Sequence, residues 1–128
     1  DSVASRGLGD VYKRQAVQYV LAQMEIPFDL VSRNPATGNY TYDEVSDEVI
    51  GSHRLIINAS PVGMHPNVEE APRIPYAFVT PSHYLFDLIY NPAETLFLQY
   101  GAQRGAHTCN GLDMLVGQAE AAWAIWNR

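Results

Sequence analysis

Leu55-Ile56-Ile57-Asn58-Ala59-Ser60-Pro61-Val62-Gly63-Met64 passes in one stretch from an apolar strand to a polar exit. Three consecutive large aliphatic residues are too few for a helix, and Leu55-Ile56-Ile57 reads as a strand. Asn58 then leaves it, Pro61 fixes a turn, and Gly63 permits close approach of the backbone to a flat ligand. Met64 could pack on an aromatic ring. The same residues also describe an ordinary strand exit, since Asn, Ser, Pro and Gly are common turn residues.

Working outward, Val17, Val20, Leu21 and Met24 recur at helical spacing and predict an amphipathic helix from about Arg14 to Glu25. Ile26-Pro27 stops it, because Pro27 lacks a backbone donor and disfavours helix in its predecessor. Phe28 to Ser32 reads as a short strand. Thr41-Tyr42-Asp43-Glu44 has the form of a capping box and should open a brief helix. Residues 61–83 hold five of the eight prolines, with Val68, Ile74, Tyr76 and Phe78 as apolar anchors, so this is an ordered loop. Tyr84 to Ile89 follows as a strand interrupted by Asp87. Asn91-Pro92-Ala93-Glu94 reads as a helix start, with Asn91 as N-cap and Gly105 as the stop. Ala106 to Cys109 is a last short strand, and Leu112 to Trp126 a last helix with Leu115, Ala119, Ala122, Trp123 and Trp126 on one side. Helices alternating with strands predict an α/β three-layer fold with a mainly parallel sheet. Ligands in such sheets bind at the carboxyl ends of the strands.

Composition narrows the function. The 128 residues suit one domain with a real core. A net charge of -6 argues against a nucleic-acid or anionic-membrane surface, though a few local donors suffice to hold a phosphate. Cys109 is the single cysteine, so an intrachain disulfide and a cysteine-rich metal site are excluded. His53, His65, His83 and His107 lack metal-ligand spacing, and no metal is expected. No apolar run approaches the roughly 20 residues a membrane span needs. These features point to a cytoplasmic protein.

Four segments at strand exits are candidates for chemistry. Ser32-Arg33 stands where nicotinamide dinucleotide folds with NAD carry an acidic residue; a hydroxyl beside a guanidinium suits a 2′-phosphate instead, and so NADP. Asn58, Ala59 and Ser60 leave the next strand. Leu88 and Tyr90 follow the third, where the Tyr90 hydroxyl can face a cleft. Gly111 opens the last helix, on which Met114 and Gln118 share a face four residues apart.

Asn58-Ala59-Ser60-Pro61-Val62-Gly63-Met64-His65-Pro66, Phe86-Asp87-Leu88-Ile89-Tyr90-Asn91-Pro92-Ala93-Glu94-Thr95, and Asn110-Gly111-Leu112-Asp113-Met114-Leu115 with Gln118 resemble the shikimate dehydrogenase family in order and spacing. The resemblance covers roughly residues 16–128. It implies a Rossmann-like domain that binds NADP and helps reduce 3-dehydroshikimate to shikimate in aromatic amino-acid biosynthesis. By the same resemblance Ser32 and Arg33 fall at the adenosine 2′-phosphate, and Asn58, Ala59 and Ser60 line the dinucleotide groove. Leu88, Gly111 and Met114 surround the nicotinamide, while Tyr90 and Gln118 contact shikimate. A homodimer of the full-length protein is left open.

Two departures qualify that implication. The family carries a G-x-G-G-A turn before the first helix; here Gly9 is kept, but Val11, Tyr12 and Lys13 replace the other small residues. An apolar first strand is not recognisable in Asp1-Ser2-Val3-Ala4-Ser5-Arg6. Asp10-Val11-Tyr12-Lys13-Arg14-Gln15 resembles a translated sequencing adapter, so residues 1–15 are read as a non-native leader, a frayed native terminus being the alternative. The family's catalytic Lys–Asp pair belongs to a separate N-terminal domain, and no lysine occurs from Ala16 onward. No catalytic residue is therefore expected in this chain, and the expectation is weak NADP binding with negligible turnover. A relative acting on quinate or using NAD, and a non-catalytic nucleotide-binding domain, are the other readings.

Overall fold

The computed structural model describes residues 14–36 and 38–111. Within them the chain runs from helix α1 (residues 14–23) through a 3-10 turn (Tyr42–Glu44) to helix α2 (Asp47–Ser52). Strand β1 (Leu55–Asn58), a second 3-10 turn (Tyr76–Phe78), strand β2 (Tyr84–Asp87), helix α3 (Leu96–Gln103) and strand β3 (His107–Asn110) complete the order.

The three strands form one parallel sheet in the order β1-β2-β3. Its register aligns Asn58, Asp87 and Asn110, so all three strands end at one level. The α/β layered expectation holds. Leu85 of β2 and Phe97 and Leu98 of α3 join Val45, Ile50 and Val79 in the buried core. Leu85 meets α3 at Gly101, where an added Cβ would lie 2.6 Å from the Leu85 Cδ2. The absence of a side chain is what lets helix and strand come so close.

Helix ends follow local chemistry. Glu25, at φ 57°, closes α1 with the Ile26 N–H bonded to the Leu21 carbonyl and the Glu25 N–H to Ala22, a Schellman arrangement ahead of Pro27. Gly105, at φ 82°, ends α3 the same way, with Ala106 bonded back to Gly101. Arg104 covers that end, its guanidinium donating to the carbonyls of Ala77 at 2.7 Å and Val79 at 3.3 Å. The capping box at Thr41 and Glu44 is formed, and the turn it opens is 3-10.

Several expectations are corrected. Among the described residues Phe28 to Ser32 forms no strand ladder and makes a single bridge, Val31 with Tyr40. Its backbone bonds there run to Asn39 and Tyr40, and a ladder needs more partners than that. The strand read as Tyr84 to Ile89 stops at Asp87, and the one read as Ala106 to Cys109 is displaced by one residue to His107–Asn110. Asn91 is not the N-cap of α3. Thr95 is, accepting from the Leu98 N–H at 3.3 Å while its hydroxyl donates to Asp87 at 2.7 Å. The link to the strand end places the cap at Thr95. Of the loop anchors, Ile74 and Tyr76 pack on the core, but Val68 and Phe78 are exposed, as are Val20 on α1 and Met24 just after it. The last helix, Leu112 to Trp126, lies outside the described residues.

Candidate functional site

A parallel sheet carries its ligands where its strands end. Here that edge is built around polar side chains with few ways to turn. Asn58 is buried at the end of β1 and Asp87 is fully buried at the end of β2. The Asn58 amide nitrogen donates to both Asp87 oxygens, at 3.2 and 3.3 Å, and to the Val62 carbonyl at 3.2 Å. Its oxygen accepts from the Ser60 N–H at 3.1 Å and the Ser60 hydroxyl at 2.6 Å. Ser60 Oγ in turn accepts from the Val62 N–H at 3.3 Å. The loop leaving β1 is thereby folded back on its own strand end.

Leu88 and Gly111 meet beside this loop. The Leu88 N–H donates to the Asn58 carbonyl at 3.1 Å, and the Gly111 N–H to Ile89 at 3.4 Å. A Cβ on Gly111 would stand 2.2 Å from the Leu88 carbonyl oxygen, so only glycine fits that crossing. Asn58, Ala59, Ser60, Leu88 and Gly111, five of the residues expected to line a dinucleotide, therefore share one end of the sheet. Tyr90 is exposed three residues beyond β2, and Asn91 next to it accepts from the His65 N–H at 3.1 Å, which ties Tyr90 to the loop from β1. Gly63 is buried at φ 99°, and what approaches it is the Glu70 carbonyl, 2.9 Å from where a Cβ would be. The close approach expected there is made by the chain's own loop.

Ser32 and Arg33 lie at the end of the extended run after α1. Ser32 accepts from the Asn34 N–H at 3.2 Å and Asn34 accepts from Ala36 at 3.0 Å, a compact turn that leaves Arg33 exposed. Burial pushes the Tyr42 phenol above its ordinary range, and the nearby Arg33 charge tempers that rise. Between this run and β1 lies a groove of about 290 Å³ lined by Val17, Leu21, Phe28, Leu30, Leu55 and Ile57, with Ala59 at its border. His53 spans the same region, its Nε2 2.6 Å from Asp29. Met114 and Gln118 lie outside the described residues, as do Gly9, Val11, Tyr12 and Lys13.

The donors present suit a phosphorylated dinucleotide. An exposed guanidinium beside a hydroxyl matches a phosphate monoester, and the level strand ends offer a ledge of backbone and small polar groups. Sequence reading missed Asp87 and Thr95. Both stand in the segment Phe86 to Thr95 quoted for its resemblance, where they drew no role, and the one physical hint was a charged residue inside an apolar strand, which is costly to bury without partners.

No family model matches the chain. It is 44% identical over 72 residues to the shikimate dehydrogenase (NADP(+)) of Desulforamulus reducens, covering 56% of this chain and 25% of that relative. To the enzyme of that name from Methanococcus maripaludis strain C6 it is 34% identical over 126 residues, covering 88% of this chain and 45% of the relative. Among solved structures, a chorismate mutase/shikimate 5-dehydrogenase fusion protein from Clostridium acetobutylicum matches at TM-score 0.60 and 38% identity, over 89% of this chain and 42% of that one. A shikimate dehydrogenase crystallised in complex with NADP+ matches at TM-score 0.51 and 39% identity, over 60% of this chain and 27% of that one. The chain thus spans less than half the length of each of these relatives.

Proposed function

We propose that this chain is the cofactor-binding part of an NADP-dependent member of the shikimate dehydrogenase family, an enzyme that interconverts 3-dehydroshikimate and shikimate. The observation that carries the reading is the alignment of Asn58, Asp87 and Asn110 at one sheet edge, with Leu88 against Gly111 beside them. Asn58, Asp87 and Asn110 each belong to one of the three sequence segments that resemble the family.

On this reading Arg33 and Ser32 hold the adenosine 2′-phosphate through charge-assisted bonds. Asn58, Ala59 and Ser60 give the dinucleotide a rigid wall, and Leu88, Gly111 and Met114 orient the nicotinamide. The bound nicotinamide supplies the hydride; the protein supplies position and electrostatics. Tyr90 and Gln118 face the small-molecule substrate. The parent enzyme acts in aromatic amino-acid biosynthesis in the cytoplasm, residues 16–128 belong to its NADP-binding domain, and residues 1–15 are a non-native or disordered leader. Among the described residues no helix is long and apolar enough to cross a membrane.

Titrating NADPH and NADH against the chain, followed by nicotinamide fluorescence, tests the reading. NADPH is expected to bind weakly but in preference to NADH, with negligible shikimate-dependent NADPH production. Equal affinity for the two cofactors, or none for either, overturns the NADP assignment. Measurable turnover overturns the placing of the proton-transfer groups outside this chain.

A further inference from the structure

Asp87 stands apart from every residue assigned above. It carries no ligand contact in the reading just given, yet it is fully buried at the centre of the site's foundations. Its carboxylate accepts from the Asn58 amide, from the Thr95 hydroxyl at 2.7 Å, and from the Ile89 N–H at 3.0 Å. These partners belong to the end of β1, the cap of α3 and the exit of β2.

We propose that Asp87 is a positioning residue: its carboxylate anchors the Asn58 amide in the orientation that the Val62 carbonyl and the Ser60 N–H also require, and through that amide it steadies the turn from Ser60 to Val62 that walls the cofactor groove. Only the last clause rests on the functional reading above. An ionised carboxylate can only accept, so the Asn58 group that meets it must be the NH₂. With the nitrogen so placed, the Asn58 oxygen faces Ser60 and takes two hydrogen bonds, from the amide and from the hydroxyl. The Ser60 hydroxyl, its own hydrogen committed to Asn58, is left to accept from Val62. The Ser60 and Val62 N–H groups and the Val62 carbonyl have fixed polarity of their own, and the carboxylate matches the one orientation of Asn58 that satisfies them.

An amide at position 87 would break this polarity without emptying the space. Either way round, its NH₂ would face the NH₂ of Asn58, together with the Ile89 N–H or the Thr95 hydroxyl. Thr95 can reverse and accept, keeping its bond from Leu98, but Asn58 cannot remain as it is without two donors opposed. The Asn58 amide then either stays against that donor or turns, which sets its oxygen against the Val62 carbonyl and its NH₂ against the Ser60 N–H; either way the turn is loosened. Exchanging the two groups, by Asn58→Asp together with Asp87→Asn, puts the carboxylate at position 58. It restores an acceptor for both Ser60 donors, at the loss of the bond to the Val62 carbonyl.

The full chain and its Asp87→Asn and Asn58→Asp/Asp87→Asn variants are compared by residue-resolved amide exchange and by NADPH titration. In Asp87→Asn the amides of Ser60 and Val62 should exchange about tenfold faster or more, with Leu98 and the strand amides unchanged, and NADPH affinity should fall by about tenfold. The swapped pair should recover protection at Ser60 and part of the affinity. A purely space-filling Asp87 would leave Ser60 and Val62 unchanged in Asp87→Asn, which overturns the proposal. Faster exchange with unaltered NADPH affinity overturns its functional half. If the unsubstituted chain takes up no NADPH, the cofactor reading fails, and the exchange result alone decides whether Asp87 steadies the turn. Should Asp87→Asn not fold, the swapped pair carries the test: folding with Ser60 protected supports the proposal, and failure to fold overturns it.

Discussion

His83 donates through Nε2 to the carbonyl of Ile50 at 2.8 Å, joining the entrance of β2 to the last turn of α2. The direction is settled at the other ring nitrogen, because Nδ1 accepts the Thr80 N–H at 3.0 Å and so cannot carry the hydrogen. His83 is 4% exposed, so its ring fills space in the interior. Replacing it with alanine leaves a cavity, strips the Thr80 N–H of its acceptor and leaves the buried Ile50 carbonyl with only the His53 N–H. His83→Ala should therefore destabilise the chain by about 2–4 kcal/mol. The urea unfolding midpoint measures this, and a loss below about 0.5 kcal/mol, typical of a surface substitution, refutes the interlock.

Gly101 poses a contest between two effects of opposite sign. Alanine in a helix interior is favoured over glycine by about 1 kcal/mol. A Cβ at Gly101, however, would lie 2.6 Å from the Leu85 Cδ2 and 3.3 Å from its Cγ. Leu85 is 1% exposed and cannot swing into solvent, so overpacking, at about 1–3 kcal/mol, should outweigh the propensity gain. Gly101→Ala is expected to lower stability by about 1 kcal/mol. In Leu85→Val the same substitution should cost less, and strict additivity of the two would show that the contact does not set the helix–strand distance.

His53 and Asp29 give the groove beside β1 a pH dependence. The His53 ring pKa is raised, first by the bond from Nδ1 to the Val49 carbonyl and then by the Asp29 carboxylate. A raised folded-state pKa means that protonation favours the fold. The contribution is fully present below the unfolded value of about 6.5 and fades as pH rises through the higher folded value. Both side chains are about a third exposed, so the ion pair contributes only about 0.5 kcal/mol or less. Asp29→Asn should lower the His53 pKa in an NMR titration and cost stability at pH 5.5 but little at pH 8.5. A His53 titration indifferent to this substitution would sever the two.

What sequence could reveal here divides along the range of the forces involved. The strand at Leu55, the capping box at Thr41 and Glu44, and the stop at Gly105 are decided within a few residues, and they were legible. Phe28 to Ser32 has the composition of a strand, but strand character is granted by a neighbour, and Tyr40 offers a single bridge. Asn91 has the better cap sequence, yet Thr95 wins because Asp87, eight residues upstream and in another element, takes its hydroxyl. The site followed the same rule. Asn58, Ser60, Leu88 and Gly111 could be picked out because motif residues sit at strand exits. Asp87 stood out only as a charge inside an apolar strand and Gly101 not at all, because what they do is set by what folding brings against them.

Arg33 carries the choice of cofactor in the proposed function, and its surroundings make the test clean. The side chain is exposed in a turn fixed by Ser32 and Asn34, so its removal should leave the backbone in place. A guanidinium holding a phosphate is worth about 1.5–3 kcal/mol as a charge-assisted bond, which predicts a loss of roughly 10–100-fold in NADPH affinity for Arg33→Ala. NADH has no 2′-phosphate, and its affinity should not change. Arg33→Lys keeps the charge but not the planar fork, so it should fall between the two. The neighbouring Tyr42 phenol supplies an independent check, since losing the Arg33 charge should raise its pKa further whether or not cofactor is present. Equal losses for NADPH and NADH would mean that Arg33 supports the turn and does not read the phosphate. A Tyr42 shift with no change in either affinity would place Arg33 beside Tyr42 but away from the cofactor.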